Sequence, residues 1–168
     1  MSRKDLLSCT RTVADVMMDM CGHGVFWSYD LGGGCAIGAT VLFRYLMREH
    51  DNRAFLAHGW YRSMTHAFVL VDIEGVMFVA DPTFVQFGEW EDVMVAPFRS
   101  PIRKNKGHRG YVILRYTSCP SRINELFSGW GIIRPAGKWK PVLSELKERM
   151  REVDGDPQDP RMTGRRSL

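Results

Sequence analysis

The stretch "THAFVLVDIEGVMFVADPTFVQFG", residues 65–88, decides the fold. Two short runs rich in Val, Phe and Ile, 66–73 and 76–81, flank Glu74-Gly75. Such runs around a two-residue break ending in Gly read as an antiparallel hairpin. With Glu74 and Gly75 as the turn, Ile73 faces Val76, Phe68 faces Asp81, and His66 faces Thr83. His66, Phe68, Leu70 and Asp72 then share one face of the strand. His66 and Asp81 become diagonal neighbours on that face, roughly 7 Å apart at the backbone and within side-chain reach. A three-residue turn would slip the register by one and send Asp81 to the other face.

Outward from the hairpin, the pattern changes period. Residues 4–20 place Leu6, Cys9, Val13, Val16, Met17 and Met20 at steps of three and four, which predicts a helix. "CGHGVFWSYDLGGG", 21–34, reads as a loop from its glycines. Residues 35–48 form a second helix, with Ile37, Val41, Leu42, Tyr45 and Leu46 on one side. "RAFLAHGWY", 53–61, and "YVILRY", 111–116, read as further strands, and His66 is expected to open the strand of the hairpin. "APFRSPIRKNKGHRG", 96–110, is basic and proline-bearing and reads as a long surface loop. Residues 138–153 give a last helix, on the spacing of Trp139, Val142, Leu143, Leu146, Met150 and Val153. The expectation is one domain over 1–153, with 154–168 a disordered basic tail without an apolar face. Helices segregated from a run of strands give the α+β class with an antiparallel sheet.

Composition bounds the function. The chain has 168 residues and a formal net charge of +4, enough for some affinity toward acidic surfaces without demanding nucleic acid. Its four cysteines, Cys9, Cys21, Cys35 and Cys119, form no CxxC pair, so neither a disulfide framework nor a zinc knuckle is expected. Scattered free thiols fit a reducing, cytoplasmic setting, or delivery into a target cell as an effector. No apolar run is long enough for a membrane span, and the N-terminus lacks the apolar core of an export signal. Cys21, His23, Cys35 and His58 match no tetrahedral spacing, and no metal or other cofactor is expected. Trp90, Trp130 and Trp139 read as core or helix anchors, and the ten methionines as adaptable packing.

The chemistry centres on "LGGGCAIGATVLFRYLM", 31–47. A cysteine in the first turn of a helix lies near uncapped N–H groups and the positive end of the dipole, which favour thiolate. The same N–H groups can hold an oxyanion. Gly32, Gly33 and Gly34 carry no Cβ to block a substrate backbone approaching the sulfur. A buried cysteine after a flexible turn is the plain alternative. A histidine with a carboxylate in register beside it, downstream of that cysteine, tips the reading toward a nucleophile with a base.

With "GGGCAIGATVLFRYL", "HAF" and "DPT" in this order, the chain resembles the transglutaminase-like branch of the papain-like cysteine enzymes over residues 31–88. The resemblance implies a Cys-bearing helix packed on an antiparallel sheet and a triad of Cys35, His66 and Asp81. Phe68 stands where the family often has Trp. The chain is far shorter than animal transglutaminases and has no evident calcium loop. The Arg-Gly-Gly-x-Cys lead of arylamine N-acetyltransferases is absent, and papain-like toxin and effector domains, often deamidases, are of similar size. The implied activity is acyl transfer on a protein or peptide amide: a hydrolase or transferase acting as amidase, deamidase, thiol protease or transglutaminase. Cys35 is the expected nucleophile, His66 the base and acid, and Asp81 the orienting group. The Cys35 N–H is one expected oxyanion donor; Trp27, then Gln86, are candidates for the second. The alternative from another class is a non-catalytic binding module of the same fold, holding an acidic partner on the basic loop at 99–109. A third reading is a structural protein of a virus or secreted assembly with a vestigial triad.

Overall fold

Glu74 and Gly75 take φ of 54° and 82°, the left-handed conformation that both central residues of a tight primed turn require. The strands they join, β2 (Met64–Ile73) and β3 (Val76–Asp81), pair from Ile73↔Val76 to Val69↔Ala80. Continued by one residue, that register sets Phe68 opposite Asp81, as the two-residue turn requires. Asp72 Oδ1 accepts the Gly75 N–H at 2.8 Å and braces the turn.

The computed structural model describes residues 1–22, 34–50, 53–62, 64–88, 93–98, 110–128 and 139–153, excepting the side chains of 21–22 and 151–153. Their α+β architecture comprises α1 (Arg3–Gly22), α2 (Cys35–Glu49), β1 (Ala54–Tyr61), the hairpin, β4 (Met94–Pro97), β5 (Tyr111–Thr117), α3 (Ile123–Leu126) and α4 (Trp139–Val153). Short 3-10 turns lie at Phe84–Phe87 and Pro120–Arg122. Among the described residues the sheet is five-stranded and antiparallel, in the order β4-β3-β2-β1-β5.

Helices α1, α2 and α4 pack together, and α2 lies against β1 and β2. Leu6, Cys9, Val13, Val16 and Met17 of α1 are buried, as are Val142, Leu146 and Met150 of α4. Each large side chain so buried contributes about 1.5–3 kcal/mol of apolar transfer. The first half of α2 is buried all round, from Cys35 to Phe43, because the helix runs between the sheet and its two neighbours. Gly38 makes that approach possible: a Cβ there would stand 2.5 Å from Met17 Sδ and 2.9 Å from Thr83 Cγ2. The opposite sheet face carries a second, aromatic core of Ala57, Tyr61, Phe68, Leu70, Val79, Phe84 and Tyr111.

Several boundaries differ from expectation. β2 begins at Met64, because Met64 and Thr65 pair with Tyr61 and Trp60; His66 is its third residue, not its first. Cys21 and Gly22 continue α1 instead of opening a loop. Ala96 and Pro97 belong to β4, paired with Val79 and Phe78, and not to the surface loop that follows. The basic segment 99–109, the tail 154–168, Trp90 and Trp130 lie outside the described residues. Trp139 anchors the start of α4, with the Arg44 guanidinium carbon 4.0 Å from its ring centroid. Among the described residues no helix is long and apolar enough to cross a membrane.

Candidate active site

The His66 imidazole is 1% exposed, on the aromatic face of the sheet. Its Nε2 stands 2.7 Å from Asp81 Oδ2. An ionised carboxylate only accepts, so Nε2 carries the hydrogen. Asp81 is fully buried and accepts four hydrogen bonds. Tyr111 donates its O–H to Oδ2 at 2.7 Å, and Thr83 donates its N–H and its O–H to Oδ1 at 2.9 and 3.0 Å. A buried charge is tolerated only when held in this way.

Cys35 is the first residue of α2 and 5% exposed. The N-cap residue Gly34 has no side chain to cap that helix start, and its carbonyl accepts from the Ile37 and Gly38 N–H groups at 3.0 and 2.9 Å. The Cys35 side chain lies close enough to the imidazole to raise its proton affinity. With Nε2 taken by Asp81, Nδ1 is the nitrogen left for the sulfur. Gln86 Nε2 also stands 3.0 Å from Nδ1 and 3.2 Å from Thr83 Oγ1. Phe87 meets the imidazole edge-on at 4.8 Å, and Phe68 and Tyr111 lie at 6.2 Å.

Electrostatics follow from the packing. Burial alone pushes the His66 proton affinity down; the charge and hydrogen bond of Asp81, and then the hydrogen bond and charge of Cys35, outweigh it and raise the pKa from 6.5 to about 10. Burial likewise works to raise the Asp81 carboxyl, but the charge and hydrogen bond of His66, with Tyr111 and the Thr83 amide, hold it below its ordinary value. The Tyr111 hydroxyl is pushed well up, by burial first and by Asp81 next, so it stays a donor.

The geometry therefore brings Cys35, His66 and Asp81 together, with Gly34 at the helix cap and Gln86 at the imidazole. Trp27 lies outside the described residues. His58 is buried on the other sheet face, against Phe127 at 6.1 Å between ring centroids, and takes no part. Among the described residues no group of three His, Cys, Asp or Glu side chains is placed to hold a metal ion. Sequence reasoning missed Tyr111 and Thr83. Thr83 had a local signal, since a hydroxyl two residues after a buried aspartate commonly bonds back to it. Tyr111 had none, because its reach to Asp81 depends on how β5 pairs with β1.

Comparisons with family models, with curated proteins and with solved structures return no match to this chain.

Proposed function

We propose that this chain is a cysteine-dependent acyl-transfer enzyme acting on a protein or peptide amide, with a papain-like, transglutaminase-like core. The observation that carries the reading is the His66 imidazole, close to Cys35 and hydrogen-bonded to a buried Asp81 that accepts four hydrogen bonds. That is the nucleophile, base and orienting group of thiol acyl transfer.

The Cys35 S–H proton passes to His66 Nδ1, and the sulfur attacks the amide carbonyl carbon. The C=O π pair moves onto oxygen, where the Cys35 N–H and a second donor hold it; Gln86 is the candidate within the described residues. Collapse breaks the C–N bond, and the leaving amine takes the proton from Nδ1. The resulting thioester passes its acyl group to water, giving an acid, or to an amine, giving a new amide. In either case the incoming proton returns through Nδ1 to sulfur as the C–S bond breaks. Asp81 keeps Nε2–H in place and stabilises the imidazolium.

The test is selective alkylation joined to a search for product. Cys119 is exposed, and its thiol lies below the ordinary value, chiefly through the hydrogen bond to Ser121. The labelling therefore belongs in a Cys119→Ser background. At about pH 6, iodoacetamide is expected to modify Cys35 faster than Cys9 and Cys21, because only a thiolate reacts. Candidate protein targets incubated with the chain are expected to show glutamine turned to glutamate, clipped peptides or amine adducts, and Cys35→Ala to show none. Equal labelling of the three cysteines, with no product, removes the enzyme reading.

The 5% exposure of Cys35 favours a second reading, a non-catalytic binding module of the same fold. It predicts slow, equal labelling and salt-sensitive capture of an acidic partner through residues 99–109.

A further inference from the structure

A bulge turns the side chains of β5 over partway along the strand. Tyr111 and Ile113 face the aromatic core. The register against β1 then shifts between Gly59 and His58, so Leu114 has no partner there and Arg115 stands opposite His58. Strict alternation would send residue 115 to the aromatic face with 111 and 113. The extra residue sends it to the opposite face, where α3 packs on β5. There a cavity of about 120 Å³ opens between β5 and residues 120–126. It is lined by Arg115, Tyr116, Thr117, Arg122, Glu125 and Leu126.

The charges of this cavity do not cancel. Glu125 is already held by Arg122, which donates from Nε to Oε2 at 3.0 Å and from Nη2 to Oε1 at 3.3 Å. Arg115 is half-buried, and among the described residues it makes no ion pair. Its charge is felt by Glu125, after that of Arg122, and it opposes protonation of the buried His58 imidazole. A guanidinium so placed, without its own carboxylate, is costly. Two cations and one anion leave the cavity a single net positive charge. A singly charged anion balances it, whereas a doubly charged phosphate meets extra repulsion from Glu125. The planar fork of an arginine matches a carboxylate. Leu126, 4% exposed, and the Tyr116 ring give apolar walls for the carbons beside it. The Thr117 hydroxyl is engaged locally, accepting the Cys119 N–H at 3.0 Å.

We propose that this cavity binds a carboxylate on a short aliphatic stem, with the Arg115 guanidinium taking the two oxygens and Arg122 adding its remaining N–H groups. An acidic side chain of a protein partner and a small free acid present that same group. The site faces away from the aromatic core that holds His66, and it stands whether or not Cys35 reacts.

The test titrates the ¹⁵N-labelled full chain at about pH 7 and low salt with three probes: butyrate, a glutamate-bearing tripeptide blocked at both ends, and inorganic phosphate. The backbone amides of residues 115–117 and 122–126 are followed by NMR. Butyrate and the peptide are expected to shift these signals saturably, and phosphate to bind more weakly than either. Tighter binding of the peptide assigns the carboxylate to a protein side chain, and tighter binding of butyrate assigns it to a free acid. Arg115→Gln is expected to weaken carboxylate binding about tenfold or more, as for lost hydrogen bonds to a charged group. Glu125→Gln is expected to tighten it about two- to fivefold, the worth of an exposed ion pair, by releasing Arg122 and removing a repelling charge. Glu125 is exposed, so this variant decides the matter even where Arg115→Gln does not fold. No shift with either carboxylate, unchanged binding in a folded Arg115→Gln, weaker binding in Glu125→Gln, or phosphate binding tighter than both carboxylates overturns the proposal.

Discussion

Tyr111 donates its hydroxyl hydrogen to Asp81 Oδ2 at 2.7 Å, the same oxygen that accepts from His66 Nε2. The tyrosine comes from β5, at one edge of the sheet, and its ring meets the Phe68 ring edge-to-face at 4.7 Å between centroids. Tyr111→Phe keeps that ring packing and removes one donor from a buried charge. Loss of a hydrogen bond to a charged group costs about 1.5–3 kcal/mol. We expect that loss in denaturant unfolding near neutral pH, and a smaller one in acid, where Asp81 takes up a proton. An unchanged midpoint would take Tyr111 out of the network.

The pH dependence of stability has two limbs. Asp81 lies below its ordinary 3.8 in the folded chain because His66, Tyr111 and the Thr83 amide overcome the effect of burial. Its contribution is complete above that ordinary value and is lost as pH falls through the lower folded one. His66 moves the other way, from 6.5 to about 10. Its contribution is complete below 6.5 and is lost as pH rises through about 10. Unfolding midpoints are therefore expected to peak between about pH 4 and about pH 6.5. Asp81→Asn should flatten both limbs, and a wild-type profile level from neutral to alkaline pH would contradict the pairing.

Thr83→Val is nearly isosteric and deletes the hydroxyl that binds Asp81 Oδ1 and receives Gln86. The backbone N–H of residue 83 remains on Asp81. We expect a stability loss of about 1–2 kcal/mol. An unchanged unfolding midpoint would take the Thr83 hydroxyl out of the network.

Gly59 pairs with His66 across β1 and β2 and lies at a bulge where the β1–β5 register shifts. A Cβ there would fall 1.7 Å from the Val112 carbonyl oxygen. The obstacle is backbone, so Gly59→Ala must push β5 outward, and Tyr111 with it. We expect a loss above about 3 kcal/mol, beyond ordinary overpacking, read as a lowered thermal midpoint. Gly75→Ala, strained by its φ of 82° but with nothing within 4 Å of the added carbon, should cost less.

Much of the hairpin was legible because its determinants are local. A Glu-Gly pair sets the turn, the period of two assigns faces, and Asp81 follows from counting. The helix bearing Cys35 was equally plain from its spacing. β4 was missed because Pro97 and the basic residues after it look like a loop, although "VMVA", 93–96, carries a short apolar run. Tyr111 stayed hidden because a bulge at Gly59 sets the offset of β5, and no local pattern announces a bulge in a partner strand. Gln86 was named for its amide alone. Its place at Nδ1 depends on the 3-10 turn Phe84–Phe87 folding back over His66.

His66 and Asp81 are 15 residues apart in one hairpin, while Cys35 arrives on a separate helix. Closing a short loop costs little chain entropy and is fast. The His66–Asp81 half can therefore assemble as soon as this segment is synthesised. The thiol joins only when α2 docks through Gly38 onto Thr83. Reactivity at Cys35 thus reports a long-range docking and not the hairpin alone, so a time course of alkylation during refolding would follow the seating of α2 on the sheet.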